Sequence, residues 1–411
     1  MGAFIKKTTT MESLISPAAA QTASLPLTRS TGSAVALDEF SRKISPSPSV
    51  PEVDRPAAGG ADSEVATAPC SHPAGHLTSL FSATDYITGD QFEVAHCAVC
   101  KLSVTSPQPA ADQIGSYYPS GYYGPLRDRR FPGIVEKLQQ ALYGWRVRQV
   151  ESVAGPVKGR VLDVGCGRGL LLKEFRRRGW QVQGTELSEH SARYPREILD
   201  LPVETGSLET IRFPANHFDV ITLWHVLEHV SDPQALLTEA NRILKPGGVL
   251  LVSVPNFGGC EAKLFRDKWF HLDVPRHVTH LTKGMLEQAL RGNGFKDRRW
   301  SGTTLEYDAF SFVQSALNKC GLRHNLLYDL LRGQRAKVIA ENQAPPWQIP
   351  VTWLLAALFG LISVPLTLCA GLLGLGGTMT VLAVKQAEAP ARFSSALEYI
   401  TVPRPRRWAR T

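Results

Sequence analysis

The sequence predicts an α/β protein built on a mostly parallel, doubly wound sheet. A small ribbon-like segment precedes the sheet, and a hydrophobic helical insertion comes late in the chain. Three observations predict it. Val161-Leu162-Asp163-Val164 is a short apolar strand that breaks into Gly165, Gly167 and Gly169 and then runs into the helical pattern Leu170–Phe175. Strand and helix patterns then alternate with short connections to residue 302, as in successive right-handed βαβ units. Finally, residues 342–384 contain no charged side chain.

A chain of 411 residues is long enough for several domains and a substantial core. The net charge of +8 and a pI near 9.1 suit an anionic membrane surface. The basic residues are dispersed and come without a nucleic-acid-binding motif, so a nucleic-acid partner is not expected. Seven cysteines, an odd number, do not form a disulfide framework and point to a reducing compartment.

Residues 1–68 are rich in Ser, Thr, Ala and Pro and poor in large apolar side chains. Such a segment does not bury enough surface to offset its ordering entropy, so disorder is expected. No apolar run follows Lys6-Lys7, so no secretory signal is expected there, and Met11 is an alternative start. Residues 69–130 form a ribbon-like segment and an aromatic linker. Phe92–His96 alternates as a strand leading to Cys97-x-x-Cys100, and Cys70, His72 or His76, Cys97 and Cys100 supply four candidate zinc ligands. Pro73 stands where a second Cys-x-x-Cys pair would place its cysteine, so a degenerate, metal-free ribbon is the alternative. Tyr117–Tyr123 reads as packing between this segment and the next domain.

Residues 131–304 carry the α/β rhythm. A helix is expected over Gly133–Val153, then a strand at 160–164 and a helix at 169–178 closing near Gly179. Strands follow at 181–185 and 201–204, then 218–223, a helix at 233–243, a turn at 245–248 and a strand at 249–254. A helix at 281–293 and a strand at 295–302 complete the series. Residues 305–377 form the hydrophobic insertion. A helix over 351–373 is about 35 Å long at 1.5 Å per residue, enough for a bilayer core. Residues 378–411 hold a possible last strand, 378–384, and an arginine-rich tail.

The glycine loop departs from a dinucleotide fingerprint. The third glycine comes one residue early, with Leu170 in the expected place, and Glu186 follows about twenty residues after the loop, as suits ribose hydroxyls. Val161-Leu-Asp-Val-Gly-Cys-Gly-Arg-Gly169, Gly184-Thr-Glu186-Leu-Ser188, Phe218 to Pro233 and Arg242-Ile-Leu-Lys-Pro-Gly-Gly248 together resemble the class I S-adenosylmethionine (SAM)-dependent methyltransferases. The resemblance covers residues 133–302 and implies their Rossmann-like sheet. It implies that Asp163, Gly165, Cys166 and Gly167 line the methionyl part of SAM. Glu186 would hold the ribose and Leu187 pack on the adenine, with Ser207 and Leu208 at its edge. Leu223, Trp224 and His225 would face cofactor and substrate. The ribbon, the Tyr-Tyr-Pro linker and Trp269 to Thr282 resemble a bacterial subgroup common among envelope and glycan methyltransferases.

Methyl transfer is an in-line displacement, so most of the catalysis is alignment. A base adds about 10²–10⁴-fold when the acceptor must lose a proton. His277 and His225 are the candidates among His225, His271, His277 and His280, with a structural or substrate-orienting role as the alternative for His277. His225-x-x-Glu228-His229 also spells a metalloprotease-type pattern, but Leu-Glu-His-Val at this helix start is common among methyltransferases. Ubiquinone-pathway O-methyltransferases have a metal-binding version with an acid where this chain has His225. The expected activity is methylation of an envelope glycan, lipid-linked or other small acceptor. Quinone O-methylation is the alternative, and an inactive SAM-binding scaffold the non-enzyme one. The apolar stretch 351–375 predicts membrane association, with the catalytic domain in the cytoplasm and the basic tail near anionic headgroups. If 378–384 is a strand of the sheet, a full crossing is excluded, and Pro365 would allow a re-entrant hairpin or an in-plane anchor.

Overall fold

The computed structural model of the chain describes residues 72, 74–110, 113–118 and 133–387. The expected disorder of residues 1–68, the ligand Cys70, most of the Tyr-rich linker and the basic tail lie outside the described residues. The ribbon contributes β1 (Leu77–Thr84), β2 (Gln91–Cys97) and β3 (Ser103–Ser106). Then come α1 (Gly133–Ala154), β4 (Arg160–Val164), α2 (Leu170–Arg177), β5 (Gln181–Glu186), α3 (Glu189–Glu197), β6 (Val203–Thr205), α4 (Leu208–Ile211) and β7 (Phe218–Trp224). They are followed by α5 (Pro233–Ile243), β8 (Leu244–Pro255), α6 (Cys260–Phe265), β9 (Thr279–His280), α7 (Lys283–Gly292) and β10 (Phe295–Ser301). The chain closes with α8 (Leu305–Lys319), α9 (Leu326–Leu331), α10 (Arg335–Ala340), α11 (Gln348–Leu372) and β11 (Thr378–Lys385).

Seven strands form the main sheet in the order β10-β11-β8-β7-β4-β5-β6. Strands β6, β5, β4, β7 and β8 run parallel, while β11 is antiparallel to both β8 and β10. The apolar strands alternate between two core clusters although their sequences do not alternate in polarity. Phe218, Ile221, Leu223, Leu250 and Val252 pack on one face, and Val161, Val220, Val249 and Leu251 on the other. That is the pattern of a sheet covered by helices on both sides.

Two sequence expectations need correction. Lys245–Gly248 is not a separate turn but the first part of β8. Leu244 pairs with Phe218, and the register shifts between Phe218 and Val220, so the glycines are absorbed in a bulge where Gly247 takes φ +77°. Pro365 does not break α11, which is continuous over 25 residues. A proline removes one donor, and here the turns on either side carry the helix through.

The ribbon strands form a second sheet, β1-β2-β3-β9, whose last strand comes from the loop after α6. Its β1, β3 and β9 had no distinct sequence signal. By this sheet the ribbon is sewn onto the loop that carries His271 and His277.

Candidate active site

The parallel strands β4 and β5 end at the glycine loop. Asp163, near the end of β4, is buried and accepts a hydrogen bond from the Thr222 hydroxyl of β7. Burial pushes its carboxyl up to about 7, the Glu186 charge adding and the Thr222 bond opposing. The loop is held by Cys166 N donating to Thr185 O at 3.0 Å and Gly169 N donating to Cys166 O at 2.8 Å. Gly165, Gly167 and Gly169 all lie at positive φ. A Cβ on Gly165 would stand 2.9 Å from Val226, whereas a Cβ on Gly167 would meet nothing within 4 Å among the described residues.

Glu186 ends β5 and turns its carboxylate back toward the loop. Oε2 accepts from Gly167 N and Oε1 from Leu187 N, each at 3.0 Å. Burial raises its pKa against these backbone bonds. Leu187 beside it is 72% exposed, an apolar surface free to take a flat ring. Ser207 follows Gly206, whose amide donates to the Glu186 carbonyl at 3.0 Å. A buried acid, a glycine cradle with open space, a ribose-type carboxylate and an uncovered leucine fit SAM. Leu208 and Leu223 do not join them: both are fully buried in the core cluster beneath the sheet. Cys166 also packs inward, and burial raises its thiol pKa.

A wall of imidazoles stands next to the loop. His225, just past β7, takes φ +55°, and the next residue, Val226, is the one that closes on Gly165. His225 Nδ1 meets Glu228 Oε1 at 2.9 Å, and its buried Nε2 has no partner among the described residues. Its ring stacks on Tyr307 at 4.8 Å and faces His271 at 6.3 Å. Burial opposes the charge on Glu228, but the His225 bond and the surrounding imidazoles hold its carboxyl down to about 2. His277 is placed otherwise. Its Nδ1 bonds the His271 carbonyl at 2.8 Å, its ring meets His229 edge-on at 4.6 Å, and burial lowers its pKa to about 4. Possible ligand atoms of Glu228, His229 and His277 lie within 4.8 Å of one another.

Sequence reasoning quoted Glu228 without giving it a role and missed Tyr307. Glu228 has a local signal in its i, i+3 spacing from His225. Tyr307 has none, because it arrives from α8 some eighty residues later.

His280 lies beneath this wall, bonded to Thr105 Oγ1 at 3.0 Å, and burial lowers its pKa to about 3. Such a group stays neutral in the fold, while the unfolded chain takes up a proton below about pH 6.5. Its contribution to stability is complete above that pH and lost as pH falls toward 3. His280→Gln is therefore expected to destabilise at pH 7.5. At pH 5.5 its deficit should shrink by about 1.4 kcal/mol, one pH unit of linkage. Denaturant titration at the two pH values checks this; an equal deficit at both would mean that His280 is not held neutral.

In the ribbon, His72, Cys97 and Cys100 present ligand atoms within 4.8 Å of one another, with Cys100 Sγ 3.5 Å from His72 Nδ1. Burial would raise the Cys97 thiol, but hydrogen bonds from His72 and the Cys100 turn bring it down to about 6. Two thiols, the Cys97 one acidified, and an imidazole suit zinc.

Residues 135–299 match the family model described as "Methyltransferase domain". Over these residues the chain has the Rossmann-like, mostly parallel sheet of a methyltransferase fold. Among similar curated proteins is a ubiquinone biosynthesis O-methyltransferase of Idiomarina loihiensis, 40% identical over 145 residues, 34% of this chain and 54% of that protein. Another, of the same name from Bordetella avium, is 34% identical over 131 residues, 29% of this chain and 53% of that protein. The chain thus spans about half the length of the curated relatives it matches. Among solved structures, a putative sarcosine dimethylglycine methyltransferase from Galdieria sulphuraria aligns with 16% identity. The alignment covers 61% of this chain and 86% of that one, at a TM-score of 0.39.

Proposed function

We propose that the chain transfers a methyl group from SAM to an oxygen or other acidic position of a small or lipid-linked acceptor, of the envelope-glycan type. The His225–Glu228 pair beside the glycine loop carries this reading. Bound at Asp163, Gly165, Gly167, Glu186 and Leu187, SAM would supply an electrophilic methyl on a sulfonium. The chain's own residues do the rest. Glu228 accepts from His225 Nδ1–H, fixing the tautomer in which Nε2 carries a lone pair, and its carboxylate stabilises the imidazolium formed when Nε2 takes the acceptor's proton. Tyr307 stacks on the ring and holds its orientation. His277, with one nitrogen spent on a carbonyl and its ring against His229, takes the orienting role.

Quinone-ring O-methylation is the second reading, favoured by the names of the curated relatives. We also assign the ribbon a structural zinc ion with Cys70, His72, Cys97 and Cys100 as its ligands, and place the catalytic domain on the cytoplasmic face of a membrane. For the central reading, calorimetry should show SAM binding to the wild-type chain and to His225→Ala with similar affinity. Methyl transfer by His225→Ala should fall by about 10²–10⁴-fold. An undiminished rate would remove His225 as base, and absent SAM binding would remove the methyltransferase reading itself.

A further inference from the structure

Helix α11 is arranged inside out for a protein in water. Four of its five buried residues are polar, Gln348, Thr352, Ser363 and Thr367. Its large apolar side chains point away: Leu354 is 71% exposed, Leu361 77% and Leu372 88%. At 100° per residue the exposed positions from Trp353 to Leu373 sweep an arc of about 220°. A helix docking against one protein surface needs a stripe of about 100°. Only a medium that wraps the helix covers an arc this wide, and lipid is that medium.

Both ends of the helix are fixed to the same folded body. At the start of α11, Gln348 Oε1 accepts from Arg323 N at 2.8 Å. After it, β11 is inserted between β8 and β10, paired residue by residue with β8 and, across one bulge, with β10. A helix crossing the bilayer would separate β11 from both neighbours. The unbroken path through Pro365 equally rules out a hairpin. The helix therefore lies along one leaflet.

The C-terminal end of α11 also leads to the candidate active site. A Cβ on Gly371 would stand 2.4 Å from the Thr303 side chain, and one on Gly302 would stand 2.7 Å from Gly371 O. Thr303 is the approach to α8, whose Tyr307 stacks on His225. The same helix, α8, thus seats the lipid-facing helix on one side and walls the imidazoles on another.

We infer that α11 is a one-leaflet, non-spanning anchor, and that the methyl acceptor is an amphiphile whose polar end reaches Tyr307 and His225 from that leaflet. The second half rests on the methyltransferase reading; the first does not.

The test uses the full chain with vesicles of phosphatidylethanolamine and phosphatidylglycerol. Wild type should float with the vesicles and stay bound in high salt. Leu361→Lys/Leu372→Lys, two exposed positions that leave the fold intact by circular dichroism, should partition at least tenfold less. Tags at both termini should remain open to protease added outside; protection of either tag would mean a crossing and overturn the anchor. So would a wild type that stays in solution as a dimer. With methyl-tritiated SAM and total membrane lipid extract, label should enter the organic phase, and the double variant should lose this while binding SAM normally. Label confined to water-soluble product would overturn the amphiphile. Loss of SAM binding in wild type, with flotation intact, would instead strike the methyltransferase reading.

Discussion

Glu186→Ala is expected to lower SAM affinity by about 10²–10³-fold. A carboxylate donates nothing and accepts on two oxygens, which is what two adjacent ribose hydroxyls require. Each charge-assisted bond is worth about 1.5–3 kcal/mol, and two of them near the lower end of that range give about 3–4 kcal/mol, or two to three decades in Kd. The side chain has a further task. Its oxygens accept the Gly167 and Leu187 amides at 3.0 Å, so alanine also leaves those donors without an acceptor. Glu186→Gln separates the two effects. It keeps the shape and one acceptor but loses the charge, so an intermediate affinity is expected. Titration calorimetry on both variants measures this. Equal affinity in alanine and wild type would place the ribose elsewhere.

The same residues show how far the sequence could be read. The strand, the glycines and Glu186 were legible because they are close in sequence and each satisfies a local rule: apolar strand, positive φ, acid at a strand end. The assignment of Leu208 and Leu223 to the cofactor came from position in a motif. The fold instead gives both to the core, since each faces the sheet's helical layer. The imidazole wall was half legible. His225, His271 and His277 were visible as residues, but their ranking depended on which ring nitrogen is already spent, and that is set by carbonyls and carboxylates brought in by tertiary structure. Helix α11 was legible as apolar and long. The position of β11 between β8 and β10, on which the in-plane proposal rests, was not legible, because strand order is not written in any local pattern.

The least legible feature is Arg276, which carries the second large expected effect. In sequence it is one polar residue in Pro275-Arg276-His277. In the fold it is 1% exposed and lies between two carboxylates, Asp85 of the ribbon and Asp273 of its own loop, at 2.7 Å each. Its Nη1 also donates to Tyr117 O at 3.0 Å. Burial would raise the Asp273 carboxyl, but the Arg276 charge and the nearby imidazoles hold it down to about 2. Asp85 is bound on its other side by the Thr88 amide at 2.8 Å, which fixes the β1–β2 turn. Removing the guanidinium therefore strands a fully buried carboxylate, Asp85, and a partly buried one, Asp273. Arg276→Met is expected to cost about 3–5 kcal/mol and to lower Tm by about 10 °C for a domain of this size. Arg276→Lys should recover only part, because a point charge does not fork across two carboxylates and a carbonyl. Arg276→Met/Asp85→Asn should be more stable than Arg276→Met alone, since one orphaned charge is gone. SAM affinity in these variants should change little, because Glu186 and the glycine loop lie on other strands. Methyl transfer should fall with the loop that carries His271 and His277. Thermal melts that coincide with wild type would show that the buried charges find other partners, and the ribbon would then not be what holds this side of the site in place.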